Sequence, residues 1–136
     1  MSTAKSGSCV CGSIQFTVQS HSDVKMICYC SDCRKGSGHL GQILGKFNTK
    51  DVQITDKNST MKEYIISKTQ SGFPKKKLFC GECGCTILTQ PMKYNGEVSI
   101  VRTTLLDDGF PEFQPTKEIF ADAKESFIGG TSNSYY

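Results

Sequence analysis

The sequence of 136 residues has no tryptophan and no apolar stretch long enough to cross a membrane. A membrane-spanning helix needs about 18 or more consecutive apolar residues. The N-terminal segment MSTAKSGSCVCGS is polar and lacks the apolar centre of an export signal. We therefore expect a soluble, cytoplasmic protein with no membrane association.

Basic residues are too few and too scattered to predict a nucleic-acid partner. Lysine and arginine total 16 against 13 acidic residues, a net charge of +3, and no basic stripe is interleaved with aromatic residues. The one dense basic run, Lys75-Lys76-Lys77, is more typical of a solvated strand edge or loop than of an anion site. We expect no nucleic-acid binding.

A long helical repeat is also missing, because no segment spaces its apolar residues at 3.6. Ile14, Phe16 and Val18 instead alternate with polar residues, which predicts a half-buried strand. Similar patterns predict strands at 24–28, 40–47, 61–67, 76–80, 86–90, 97–103 and 118–122. With no internal linker, the chain is predicted to be a single mainly β domain over residues 1–136. We expect antiparallel sheet, little helix, a core at about 7–127 and a tail at 129–136.

Cysteine is the residue type that the chain has in excess, and its eight copies form three groups. Without an export signal, the reducing compartment disfavours disulfides, and the spacings are typical of metal ligands. The groups are Cys9 with Cys11; Cys28, Cys30 and Cys33; and Cys80, Cys83 and Cys85.

The first and third groups predict a structural zinc site. In FCGECG two thiolates leave one tight turn, with Gly84 supplying a positive φ, and SCVCG is a similar turn closed by Gly12. The four ligands Cys9, Cys11, Cys80 and Cys83 would complete a tetrahedral site. Cys85 could compete as a ligand, but we expect a small buried thiol.

The middle group predicts a metal site of a different kind. Cys28 and Cys30 end a predicted strand, and Cys33 follows in SDCRK, a candidate single helical turn with Ser31 as its N-cap. Three ligands leave a fourth zinc position open to water or substrate, as in catalytic sites. Cys85 or His39 could instead supply a fourth ligand.

Zinc with three thiolates carries a charge of about −1 and activates water poorly, so it suits carbon–sulfur chemistry better than hydrolysis. The candidates around it are polar. His39 could act as a general acid or base, although a hydrogen-bonded histidine at the start of a strand is the simpler interpretation. Arg34 and Lys35 could attract an anionic substrate, and Ser37 lies in a glycine-flanked stretch that could bind an oxyanion. All of these also suit a plain surface loop.

The motifs GSCVCGSIQF, CYCSDCRKGSG, SGFPKKKLFCGECG and TLLDDGFP resemble, in order, the glutathione-dependent formaldehyde-activating enzyme (GFA) family, from Gly7 to about Phe127. The resemblance implies an Mss4-like (β-tent) zinc fold with two zinc ions per chain. It places a structural ion on Cys9, Cys11, Cys80 and Cys83 and a catalytic ion on Cys28, Cys30 and Cys33. It also implies carbon–sulfur lyase activity, typified by the reversible joining of glutathione, as co-substrate, to formaldehyde.

Two positions depart from the family pattern. Tyr29 stands where the family often has histidine, and Phe127 where tryptophan is expected. A substrate-binding tyrosine beside the metal would change the pocket's shape and hydrogen bonding, which points to a specialised thiol or thioether substrate. The competing hypothesis is a non-catalytic Mss4-like zinc module that binds a protein partner. An exposed strand edge could also join copies into a homo-oligomer.

Overall fold

The computed structural model describes residues 4–19, 21–22, 24–108 and 110–129. Within these ranges the chain forms ten strands and one α-helix. The strands are β1 (Lys5–Ser8), β2 (Ile14–Val18), β3 (Val24–Cys28), β4 (Gln42–Asn48), β5 (Val52–Asp56), β6 (Met61–Ile66), β7 (Lys75–Cys80), β8 (Thr86–Pro91), β9 (Val98–Val101) and β10 (Lys117–Ile119), and the helix is α1 (Ser31–Ser37). The prediction of a mainly β chain with little helix is confirmed.

The strands form two sheets. A small sheet has the order β1-β2-β5, and a large sheet has the order β10-β3-β4-β9-β8-β7-β6. Neighbouring strands are antiparallel except β10, which pairs parallel to β3. The predicted antiparallel architecture therefore holds for all but this edge.

The main hydrophobic core contains residues from both sheets. Ile14, Phe16 and Val18 of β2 are at most 2% exposed and belong to one cluster with Phe47 of β4 and Val101 of β9. Because side chains alternate across a strand, one apolar face of each sheet covers the other. The alternation read from the sequence of β2 marks this face correctly.

A second cluster lies on the other face of the large sheet. It contains Met26 and Cys28 of β3, Leu44 of β4 and Ile100 of β9, whose strand neighbours point the opposite way. Cys30 and Cys33 belong to the same cluster. The middle cysteine group therefore packs on a sheet face that the main core does not use.

The elements differ from the predictions in a few places. Strands β1 and β5 were not predicted, and the pattern at 118–122 forms only the short strand β10. The prediction of Ser31 as N-cap is wrong, because Cys30 occupies that position and α1 runs for seven residues rather than one turn. The Ser31 N–H donates instead to Gln70 Oε1 at 2.7 Å. Helix α1 ends at Ser37, and its C-cap is Gly38, whose φ of 78° suits glycine.

Two further predictions concern the C-terminal tail and the absence of a membrane-spanning helix. Of the predicted tail, residues 130–136 lie outside the described residues. In the described ranges, no helix is both long and apolar enough to span a membrane.

Candidate functional site

Four cysteines of the first and third groups converge, and Cys85 of the third group does not join them. Cys9 and Cys11 come from the β1–β2 turn, Cys80 ends β7 and Cys83 follows it, and all four sulfurs lie within 4.8 Å of one another. Cys11 Sγ is 3.7 Å from both Cys9 Sγ and Cys80 Sγ. A tetrahedral ion with zinc–sulfur bonds of about 2.3 Å would separate its ligands by about 3.8 Å, whereas a disulfide needs about 2.05 Å. The spacing fits a four-thiolate zinc site.

The two turns are shaped to present these sulfurs. Gly84 has a φ of 77°, which confirms the positive φ predicted for it, and Gly12, predicted to close the other turn, has a φ of 80°. The Gly84 N–H donates to Cys80 O at 2.8 Å, and the Glu82 N–H lies 3.3 Å from Cys80 Sγ. Backbone donors that face a sulfur favour its thiolate form. This cluster is called the closed cluster below.

The middle group forms a second convergence of thiols, called the open cluster. Cys28 ends β3, Cys30 is the N-cap of α1 and Cys33 lies in its first turn. All three are buried, and their sulfurs lie within 4.8 Å of one another. Cys28 Sγ and Cys30 Sγ are 3.3 Å apart. A strand end and a helix start thus bring together three thiols from six consecutive residues.

No fourth His, Cys, Asp or Glu side chain of the described residues has a ligand atom within 4.8 Å of all three sulfurs. Cys85 belongs to neither cluster; it is partly buried against the main core, with its Sγ 4.0 Å from Thr86 O. His39 is exposed and also lies outside the cluster. The structure therefore does not show the closed alternatives, in which Cys85 or His39 supplied the missing ligand.

The thiols of the open cluster differ in pKa. Hydrogen bonds from Cys30 and Cys33 lower the pKa of Cys28 to about 3. The same group of contacts raises the pKa of Cys33, first through its bond with Cys28. One thiolate forms readily and opposes the next, so three thiolates together need a cation to offset their charge. This donor set fits a thiophilic ion such as zinc.

An ion pair lies directly beside the open cluster. Lys75 Nζ pairs with Asp32 Oδ2, and Asp32 Oδ1 lies 3.0 Å from Cys30 Sγ. Burial alone would lower the pKa of Lys75, but the negative charges of Cys33 and Asp32 raise it overall. Lys75 therefore stays protonated and places a fixed positive charge next to the thiols.

A cavity of about 480 Å³ adjoins the open cluster, with Cys28, Cys30 and Cys33 in its wall. Its apolar wall comes from the second hydrophobic cluster. Lys46, Lys75, Lys93 and Lys117 also line it, and among its described lining residues Asp32 is the one carboxylate. This excess of lysine favours an anionic occupant.

Aromatic rings hold two of these lysines. Lys46 Nζ and Lys93 Nζ lie 5.3 Å and 5.2 Å from the centroid of the Tyr94 ring, and Lys93 Nζ lies 5.1 Å from that of Phe73. Such cation–π contacts position a charge without neutralising it. Both ammonium groups remain able to meet an anion.

The candidate substrate residues lie elsewhere. Tyr29, Ser37 and His39 line a separate cavity, and Arg34 is exposed on α1. Tyr29 follows Cys28 directly, so strand alternation turns its side chain away from the thiols. Nearness in sequence was a poor guide here, and the geometry does not favour these four residues as contacts of the open cluster.

Sequence reasoning missed Lys75 as part of the site, and Asp32, which it expects among the polar residues around the middle cysteine group, has no role in that prediction. Lys75 was grouped with its neighbours in one basic run, yet on β7 it is 18% exposed at the side chain while Lys76 is 34% exposed. Alternation along β7 separates the two, but the strand predicted from the sequence, 76–80, begins after Lys75. The sequence pattern would not have shown that Lys75 pairs with Asp32 of α1.

Comparison with known proteins bears on the fold and on the family of this chain. The crystal structure of a Rhodobacter sphaeroides protein is 22% identical, with a TM-score of 0.58, and the match covers 76% of this chain and 88% of that one. This likeness concerns the fold alone. No curated protein matches the sequence. A family model described as glutathione-dependent formaldehyde-activating enzyme matches residues 4–123, and the chain therefore belongs to that family.

Proposed function

We propose that the protein is a zinc-dependent enzyme that makes or breaks a carbon–sulfur bond in a thiol adduct. Family membership supports a glutathione-related, formaldehyde-activating or lyase-like function. The observation that carries the proposal is the open cluster itself: three buried thiols converge beside a cavity, and the described chain supplies no fourth ligand. A single Mss4-like domain located in the cytoplasm is part of the same proposal.

Cys28, Cys30 and Cys33 would hold the ion of the open cluster, and the closed cluster would hold a second, structural ion. Thiolate ligands suit zinc among the common divalent metals. When bound at three thiolates, zinc supplies a Lewis-acidic position that can take a substrate sulfur. The 480 Å³ cavity lies beside these thiols, where a substrate could reach such a position.

The chain's own groups fit the cleavage of an S-hydroxymethyl thiol into a thiol and formaldehyde. The carbon–sulfur bond breaks with its electron pair left on sulfur, and the hydroxyl proton leaves as the carbon–oxygen double bond forms. Asp32 is the candidate acceptor of that proton, because it is the one carboxylate among the described lining residues. Lys75 holds Asp32 and can stabilise charge on the substrate oxygen. The reverse steps join the two molecules.

The substrate class follows from the cavity's charge. Four lysines against one aspartate favour a thiol that carries carboxylates. Glutathione has two carboxylates and one ammonium group and fits this class, as does a related acidic thiol or thioether. Lys46 and Lys93, which flank Tyr94, are the candidates for its carboxylates.

A zinc module that only binds a protein partner is the second candidate, and the open cluster argues against it. Such a module needs the closed cluster for its fold. It does not need three further buried thiols beside a lysine-lined cavity.

Cobalt-substituted protein tests the proposal, because its visible spectrum reports sulfur entering the coordination sphere. We expect glutathione to change the spectrum of the wild type and of Cys85→Ser, whose thiol lies in neither cluster. Cys30→Ser should lose the change and about one metal per chain while remaining folded. Asp32→Asn should keep thiol binding but lose turnover of an S-hydroxymethyl thiol. A spectrum that thiols leave unchanged, or full thiol binding by Cys30→Ser, refutes the enzyme proposal.

A further inference from the structure

A second cavity, of about 310 Å³, lies on the other side of β3 from the open cluster. Ile27 and Tyr29 line it, whereas Cys28 lines the thiol cavity, as strand alternation requires. Ile43 and Ile128 add apolar wall. The polar lining residues are Ser37, His39, Gln42, Arg102 and Thr104. No described residue of this lining is acidic.

Arg102 is the charged group of this cavity. Its Nη2 donates to Gln42 Oε1 at 2.6 Å and to the Gly36 carbonyl, while its buried Nε has no hydrogen-bond partner in the described chain. No described carboxylate forms an ion pair with it. Burial lowers the pKa of Arg102 overall, although the charges of Cys85 and Cys33 act in the opposite direction.

A second cation, Lys77, lies beside Arg102, and the thiols of Cys85 and Cys33 are the groups whose negative charge would act on Arg102. A Cβ placed on Gly36 would lie 3.5 Å from Arg102 Nη2 and 4.0 Å from Lys77 Nζ, so the two cations are close. Burial and the charge of Arg102 lower the pKa of Lys77. Glu118, behind Tyr29, accepts a hydrogen bond from the Tyr29 hydroxyl and pairs with Lys124, both at 3.1 Å. The negative charge of Glu118 is therefore already paired with Lys124.

We propose that this cavity binds a small organic carboxylate, whose anionic end meets Arg102 and whose apolar body lies against Ile27, Ile43 and Ile128. The exposed hydroxyl of Thr104 can donate to a carboxylate oxygen. At about 310 Å³ the cavity is at the small end of ligand pockets, so the ligand has the size of a single ring or a short aliphatic acid. The site is distinct from the thiol cavity and has its own ligand.

Calorimetric titration of the full-length protein with benzoate tests the proposal, with benzamide as a neutral probe of the same shape. We expect benzoate to bind and benzamide to bind at least tenfold more weakly, because a charge-assisted hydrogen bond contributes about 1.5–3 kcal/mol. Arg102→Gln should weaken benzoate by a similar factor. Arg34→Gln, which removes an exposed arginine of α1, should leave benzoate binding unchanged.

Arg102 also donates a hydrogen bond to the Gly36 carbonyl near the end of α1. A second variant is therefore needed to distinguish loss of ligand binding from a change in the structure of α1. Thr104→Phe narrows the cavity from its exposed side and leaves the guanidinium contacts in place; it should abolish benzoate binding without lowering the melting temperature. Equal binding of benzoate and benzamide, or unchanged binding in Thr104→Phe, overturns the proposal. Sulfate binding as tightly as benzoate refutes the role of the apolar wall, and displacement of benzoate by glutathione refutes a separate site.

Discussion

Removing one ligand of the closed cluster should unfold the protein, and Cys80→Ser is the sharpest form of that change. Cys80 is fully buried, and its sulfur lies 3.7 Å from that of Cys11, 69 positions away in the chain. The cluster joins the β1–β2 turn of the small sheet to the end of β7 in the large sheet. It therefore ties together the two sheets that enclose the main core.

The expected magnitude exceeds the stability of an ordinary domain. Structural zinc contributes on the order of 10 kcal/mol or more in small zinc domains, against a total of about 5–15 kcal/mol for a typical domain. Serine is a poor zinc ligand and would leave a polar group in a fully buried position. Cys80→Ser should thus be largely unfolded at room temperature.

Cys85→Ser is the matched control, since Cys85 lies five residues further on and in neither cluster. It should lower the free energy of unfolding by only about 1–2 kcal/mol and keep its metal. The assays are metal content per chain, far-ultraviolet circular dichroism and a thermal melt. A Cys80→Ser protein that melts within a few degrees of the wild type would refute the structural role of the closed cluster.

Three further predictions use the same kinds of measurement. Lys75→Met should weaken binding of an acidic thiol about tenfold or more, since it removes a charge-assisted contact. Lys76→Met should not weaken it, because Lys76 pairs with Glu63 at 3.8 Å on the surface. Thiol titrations compare the two variants, and equal affinities would exclude Lys75 from the site. Asp56→Asn should destabilise the protein at neutral pH, because backbone N–H donors of Met61 and Thr60 lower the pKa of Asp56 below 3.8. That stabilisation is present above pH 3.8 and is lost as the pH falls through the lowered pKa. Urea unfolding should therefore show that the difference in unfolding free energy between the wild type and Asp56→Asn decreases in acid. A difference independent of pH would contradict this prediction. Gly7→Ala should cost about 1–3 kcal/mol of unfolding free energy, because its Cβ would overlap the Leu105 carbonyl oxygen. Ser8→Ala is the control, and equal stability of the two variants would show that the backbone shifts freely.

The cysteine clusters could be predicted from the sequence because their geometry is local. A C-x-x-C turn followed by Gly84 fixes two sulfurs within one turn, and Gly12 closes the other turn in the same way. The alternation in β2 likewise gave its buried face without knowledge of its partners. In these places local conformation and tertiary structure agree.

The residues around the open cluster could not be predicted, because their contacts depend on tertiary structure. Lys75 reaches Asp32 only because β7 and α1 come together in the folded chain. Tyr29 was placed in the site by its sequence neighbours, but strand alternation turned it to the opposite side. Ser31 has the higher N-cap propensity, yet α1 begins after Cys30, whose sulfur belongs to the open cluster. Strand β1, KSGS, has no apolar pattern and is defined by its pairing with β2.

The two clusters share one ligand chemistry but differ in what their assembly requires of the chain. The closed cluster brings together turns from two sheets, and closing a loop of this length has an entropic cost that metal binding must offset. The open cluster takes all its thiols from residues 28–33, at the junction of β3 and α1, so its assembly does not close a long loop. Loss of a ligand there leaves both sheets joined. A chain built this way can lose the chemistry of the open cluster while it keeps its fold, and this separation makes single cysteine variants informative about function.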